Sequence, residues 1–324
     1  MRLSAGLLDA IQRETNKLDR RRLVQATAQL SEHYKAGDFS TPAIATEAHR
    51  AAYLAVRLPA TYAAIRRVFA EIKLRVPQVE ITSLLDLGAG PGTALLAAGE
   101  EFPHLQQATL IEADASWIAL GKRLVEQSVL PVIQQAQWLQ QDLRSGFSCD
   151  KHDLVVISYT LGELSEAAAD AVLNKAWKCA GKFVVIVEPG TRRGFSAINA
   201  ARSFFISNAA TIIAPCPHRC TCPMSTAGDW CHFSQRVERT SQHRQLKGGE
   251  LGYEDEKFSY FVAGKSDSPS SGSRIVRHPL KHIGHVQLVL CTAEGKIEKR
   301  TVTRSSKEVY KHARKADWGD SWIE

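Results

Sequence analysis

Residues 79–190 predict an α/β fold with a doubly wound parallel sheet, and three observations predict it. Four short apolar runs recur along this stretch, helical segments lie between them, and a glycine string follows the first run directly. Alternation of this kind indicates parallel strands joined by right-handed crossovers. The runs are apolar nearly throughout, as strands are when helices cover both faces of their sheet.

Residues 1–78 read as a helical N-terminal region. Apolar residues recur at helical spacing through Leu7, Leu8, Ile11, Leu18 and Leu23, and again through Tyr53, Leu54, Val56, Ile65 and Val68. Pro42 and Pro59 punctuate these helices and Pro77 ends them. The first apolar run, from Ile81 to Leu87, ends in glycines. The second, Ala108 to Glu112, leads into a helical stretch from Trp117 to Gln127. Trp138-Leu139 marks a further strand position, and runs at Leu154–Ser158 and Lys182–Val187 follow. After Gly190 the alternation stops, and residues 191–324 are expected to form a smaller cysteine-rich, basic module. It holds a polar loop at 264–273, a strand from Gly284 to Cys291 and its hairpin partner from Lys296 to Thr303. No internal repeat is present.

The chain has 324 residues, of which 44% are hydrophobic and 23% charged. That balance excludes a disordered chain, a collagen-like fibre and a coiled coil. No apolar run approaches the roughly 18 residues a membrane span needs, so no membrane partner is expected. The net charge of +7 favours polyanionic partners, most often nucleic acid. Asp9, Glu14 and Asp19 argue against an acid-poor transit peptide, and the expectation is a folded helix of a cytoplasmic protein.

The strongest enzymatic signal is Asp86-Leu87-Gly88-Ala89-Gly90-Pro91-Gly92-Thr93, set between a strand and a helix. Gly88, Gly90 and Gly92 let the backbone turn sharply and approach a ligand with no side chain between. Glu112 ends the second strand, where a carboxylate can accept hydrogen bonds from both ribose hydroxyls. The string resembles motif I of the S-adenosylmethionine-dependent methyltransferases. That resemblance implies a class I methyltransferase sheet, a loop lying under the methionine part of the cofactor, and Asp86 at its edge. It also puts Asp142, after Trp138-Leu139, near the adenine amine. Ligands of such sheets bind outside the carboxyl ends of the strands. Ser158 therefore joins the cofactor-binding set, and Tyr159 and Glu163 are the candidate catalytic residues of the acceptor pocket. The segment is neither Asn-Pro-Pro-Tyr nor a Pro-Cys that could attack a pyrimidine ring.

Four of the seven cysteines, Cys216, Cys220, Cys222 and Cys231, crowd into one loop. Thiolates this close repel one another unless a cation holds them. Prolines beside Cys216 and Cys222 are reminiscent of iron–sulfur loops. Zinc is the alternative, although no clean pair of Cys-x-x-Cys knuckles is present. Three ligands can come from this loop, and the fourth from another cysteine or from His218 or His232.

Cys216-Pro217-His218, Cys222-Pro223 and Cys231-His232-Phe233-Ser234-Gln235-Arg236 follow the glycine-loop domain. Arg57-Leu58-Pro59-Ala60-Thr61-Tyr62 precedes it, and Gly284-His285-Val286, Cys291 and Trp318-Gly319-Asp320 close the chain. Together they resemble the methyltransferase-like family associated with the mitochondrial small ribosomal subunit, including its bacterial relatives. The resemblance implies a 4Fe–4S cluster and association with small-subunit ribosomal RNA or a pre-ribosomal particle. It carries Cys216, Cys222, Cys231 and Cys291 over as ligands and leaves Cys220 as a spare thiol or an alternative ligand. From Arg274 onward eleven Lys/Arg stand against six Asp/Glu, and between Arg192 and Glu250 eight stand against three. The basic surplus thus lies near the cysteine loop, with Phe204, Phe205, Trp230 and Phe233 interleaved, which suits RNA.

The leading expectation is a monomeric S-adenosylmethionine-dependent methyltransferase acting on ribosomal RNA in small-subunit assembly. The rivals are an assembly factor that holds its cofactor and cluster without transferring a methyl group, and a zinc protein methylating a small molecule or a protein.

Overall fold

The computed structural model describes residues 1, 3–36, 44–126, 128–266 and 272–323. The break expected at Pro42, the helix end at Gln127 and the middle of the polar stretch at 264–273 lie outside the described residues. The chain divides into two compact units, each assembled from separated stretches. The first comprises Met1–Phe69, Glu80–Cys149 and Gln235–Glu256; the second comprises Ala70–Val79, Asp150–Ser234 and Lys257–Glu324. No helix among the described residues is long and apolar enough to cross a membrane.

The helical lead-in consists of α1 (Ala5–Thr15), α2 (Arg20–Ala36), α3 (Glu47–Val56) and α4 (Leu58–Arg75). Side-chain caps start three of them: Ser4 accepts from the Leu7 N–H, Asp19 from the Arg22 N–H and Thr46 from the His49 N–H. Pro59 sits in the first turn of α4, where a missing N–H costs nothing. Leu23, Leu30, Ala52 and Val56 bury their side chains in one cluster. Leu246 joins them from α11 (Ser241–Lys247), a later helix of the same unit. Arg57 closes the packing with a two-pronged bond to Glu256, at 3.1 and 3.0 Å.

The same unit carries β1 (Ser83–Leu87), α5 (Thr93–Glu101), β2 (Gln107–Glu112), α6 (Ala115–Val125), α7 (Pro131–Gln134) and β3 (Gln137–Gln140). The strands are parallel in the order β3-β2-β1, with Leu85 beside Thr109 and Ile111 beside Leu139. The alternation read from residues 81–140 is therefore present as strands and crossover helices.

The second unit holds β4 (His152–Ser158), α8 (Glu166–Cys179), β5 (Ala180–Pro189), α9 (Arg192–Ser207), β6 (Thr211–Ala214) and α10 (Pro223–Thr226). Next come β7 (Phe233–Glu238), which runs on into the first unit, and β8 (Tyr253–Gly264). Strands β4 and β5 are parallel, but β8 runs antiparallel to β5 over Phe258–Gly264, and β6 is antiparallel to β8. The pairs within residues 79–190 are parallel as expected, and β6 and β8, from beyond Gly190, make the sheet mixed by adding antiparallel pairs. The alternation also continues past Gly190. α9 buries Phe195, Ile198, Ala201, Arg202 and Phe205 along one stripe, and Thr191 caps it by accepting from the Gly194 N–H.

A second, five-stranded sheet is built from β9 (Ser273–Ile275), β10 (Leu280–Lys281), β11 (His285–Cys291), β12 (Ile297–Thr303) and β13 (Ser321–Trp322). The hairpin expected from the sequence is β11–β12, antiparallel from His285↔Thr303 to Cys291↔Ile297. Helix α12 (Lys307–Lys315) supplies Ala313 to a core of Ile275, Val286, Leu288, Leu290, Val302 and Trp322.

Candidate functional site

In the first unit the glycine loop leaves the carboxyl end of β1. Gly88, Gly90 and Gly92 all take positive φ, at 73°, 54° and 82°. A side chain at any of these positions is strained. The Gly88 and Ala89 N–H groups both donate to the Ile111 carbonyl, which ties the loop to β2. A Cβ on Gly90 would meet no atom within 4 Å, so one side of the loop is open. On Gly92 it would strike the Trp138 ring at 3.1 Å.

Glu112 reaches the loop. One carboxylate oxygen accepts from the Gly90 N–H at 2.8 Å and the other from the Asp114 N–H at 2.9 Å. Asp86 is fully buried, and neither of its carboxylate oxygens has a hydrogen-bond partner. Burial, and secondarily the charge of Glu112, push its pKa up to about 8. Asp142 follows Gln141, whose N–H donates to the Glu112 carbonyl at 3.1 Å. It caps a short 3₁₀ turn, and its carboxylate accepts from the Arg144 backbone N–H and guanidinium.

In the second unit, Ser158 ends β4 half-buried. Tyr159 has φ 56°, and its N–H donates to the Val187 carbonyl at 2.7 Å. A left-handed conformation in a bulky residue is held only where the surroundings over-determine it. Glu188 supplies part of that restraint, a role the sequence reading did not assign. Its fully buried carboxylate accepts from the backbone N–H groups of Thr160 and Leu161, at 3.1 and 2.8 Å. Burial still lifts its pKa to about 7. Glu163 is exposed, in the 3₁₀ turn at Leu161–Glu163.

The second unit also gathers the cysteines. Cys216 follows β6, Cys222 caps α10, Cys231 precedes β7 and Cys291 ends β11. All four line one cavity of about 30 Å³ together with His218, Arg202 and Arg274. Burial raises the Cys216 thiol pKa, lifts Cys231 well above the usual range and takes Cys291 up to about 12. Like-charge proximity to the other thiols adds to each shift. His218 is buried, with Nε2 3.4 Å from the Cys291 Sγ, and its Nδ1 has no partner. His232 is instead stacked on Trp230 and edge-on to Trp318. Cys220 is exposed and does not line the cavity.

Two tests of fit follow from these residues. Open space over Gly90 and an unpartnered buried carboxylate at Asp86 fit a ligand that brings a cationic amine to the loop. A set of four sulfurs around one cavity fits a thiophilic metal group. Among the described residues, however, no group of three or more His, Cys, Asp or Glu side chains stands arranged to hold a metal ion.

A family model described as mitochondrial small ribosomal subunit Rsm22 matches residues 47–323. The human ribosome assembly protein METTL17, mitochondrial, is 29% identical over 296 residues, covering 85% of this chain and 62% of that protein. Rsm22-cox11 tandem protein 2, mitochondrial, of Schizosaccharomyces pombe is 27% identical over 322 residues, covering 83% of this chain and 42% of that protein. The chain thus spans less than two thirds of either relative's length. Among solved structures, magnesium protoporphyrin IX methyltransferase from Synechocystis PCC 6803 with bound SAM aligns at 13% identity with a TM-score of 0.42. That alignment covers 64% of this chain and 80% of that one.

Proposed function

Because the chain belongs to the family described as mitochondrial small ribosomal subunit Rsm22, we propose that it is an assembly factor of the small ribosomal subunit. In this reading it binds S-adenosylmethionine at the glycine loop and a metal–thiolate group among its cysteines, and it docks on small-subunit ribosomal RNA. The observation that carries the reading is the convergence of Cys216, Cys222, Cys231 and Cys291 on one cavity. Four thiolates from separated segments satisfy a 4Fe–4S cluster with no histidine, and zinc is the alternative. Either group would supply cross-linking of the loop to β11 and thereby folding energy.

At the glycine loop, Asp86, Gly88, Gly90, Gly92, Glu112 and Asp142 would hold the cofactor. Glu112 now spends both carboxylate oxygens on backbone N–H groups, so it must exchange them for ribose hydroxyls on binding. Lys307, Lys311, Arg314 and Lys315 on α12 offer the phosphate contacts. The test is sedimentation of the tagged protein with immature small-subunit particles. Salt-sensitive co-sedimentation is expected, and sedimentation as free protein at every salt concentration refutes the reading.

A second reading adds methyl transfer to ribosomal RNA, and the strained backbone at Tyr159 favours it. When bound, the cofactor supplies the electrophilic methyl group. Tyr159 and Glu163 would orient the acceptor. Tritium transfer from labelled S-adenosylmethionine to RNA in those particles separates the readings: label incorporated by the wild type and lost in Tyr159→Ala supports transfer, and no label leaves the binding role alone.

A further inference from the structure

Arg202 is 4% exposed, and among the described residues no carboxylate pairs with it. The neighbouring buried arginine, Arg274, is different: Glu71 lies 3.0 Å from its guanidinium. One Arg202 Nη atom donates to the His218 and Cys220 carbonyls, at 2.9 and 2.7 Å. The positive charge of Arg202 favours the Cys216 thiolate against the opposing effect of burial, and both side chains line the same cavity, while the Arg202 Nε has no partner at all. A buried cation without an anion is strongly unfavourable. The anion that would match it is therefore missing from the polypeptide's own carboxylates. Four thiolates around either a zinc ion or a 4Fe–4S core of charge 2+ carry a net negative charge.

We propose that Arg202 is the counter-charge and positioning residue of the four-cysteine centre, recognising its anionic metal–thiolate form while its second function clamps the 216–222 loop by two carbonyls. The proposal rests on the metal-centre reading above. It deepens that reading by naming what stabilises the charge of the centre from outside the ligand set, a role outer partners fill at many metal sites. Lysine at this position would keep the charge but not the planar fork.

The experiment uses the full chain purified anaerobically, then loaded with ferrous and ferric iron and sulfide or with zinc alone. Wild type, Arg202→Lys and Arg202→Gln are compared by metal retained against graded EDTA and by the melting-temperature gap between loaded and metal-free protein. Arg202→Gln should release metal about 10–100-fold more readily. Its melting gap should shrink while the metal-free protein melts near the metal-free wild type. Arg202→Lys should keep most of the retention. Equal loss in both variants would show a carbonyl clamp with no charge role and overturn the assignment, as would wild-type retention in Arg202→Gln. If metal-free Arg202→Gln does not fold, Arg202→Met, which fills a similar volume, replaces it. Failure of both to fold while metal-free wild type folds would also overturn the proposal, because the arginine would then be needed without any metal. Wild type that takes up neither metal defeats the metal-centre reading itself; wild type that binds metal indifferently to Arg202 defeats only this inference.

Discussion

Burial without a partner, and secondarily the charge of Glu112, push the Asp86 carboxyl up from its ordinary 3.8 to about 8. A carboxyl whose pKa rises on folding binds its proton more tightly in the folded state. Its contribution to stability is complete below about pH 4 and is lost as pH rises through about 8. Asp86→Asn should therefore flatten the fall in melting temperature between pH 5 and pH 8; identical pH profiles for mutant and wild type would contradict this. The same carboxyl should release its proton to a cationic ligand, so S-adenosylmethionine affinity should increase with pH over that window. Gly90→Val tests the loop directly. Its backbone has φ 54° and its Cβ would project into open space. Calorimetry should show binding lost, by at least about tenfold, while far-ultraviolet dichroism stays unchanged. Unaltered affinity would remove the cofactor assignment.

At the scale of elements, β8 and α12 make separate predictions. β8 is charged over Glu254, Asp255, Glu256 and Lys257, then buries Phe258, Tyr260, Phe261, Val262 and Ala263. Phe261 is 1% exposed and stacks on Phe205 at 6.0 Å. Phe261→Ala should lower the unfolding free energy by about 3–5 kcal/mol, measured by urea titration; a cost below about 1 kcal/mol would mean the strand does not pack as described. In α12 only Ala313 is buried, and Lys311, Arg314 and Lys315 are exposed. Reversing those three charges should weaken RNA binding and make the slope of log affinity against log salt shallower by about two to three, since each lost phosphate contact releases about one counterion fewer. An unchanged slope would leave α12 as a solvated face.

For the whole molecule, the four-cysteine cavity is lined by the loop between β6 and β7 and by the end of β11, so the proposed metal should stabilise the second unit as one body. Cys216→Ser and Cys291→Ser should each lose bound metal and lower the melting temperature, whereas the exposed Cys220→Ser should do neither. Elemental analysis decides it: metal lost in Cys220→Ser and retained in Cys291→Ser would reverse the ligand assignment. The sequence by itself determined the features that local chemistry controls. The glycine loop, the strands β1, β2, β4 and β5 and the β11–β12 hairpin were legible because apolar runs and glycines mark them within a few residues. It did not reveal β8, whose acidic first half masks the buried second half, nor α9, whose buried stripe includes the charged Arg202. Only the tertiary structure decided that β8 enters antiparallel, that Glu188 holds the Thr160–Leu161 turn and that Asp86 lacks a partner. Only it brought Cys291 to the cavity of Cys216, Cys222 and Cys231. Those outcomes depend on which distant segments share a volume and on which buried charges are left unmatched there, and neither is written in the spacing of residues along the chain.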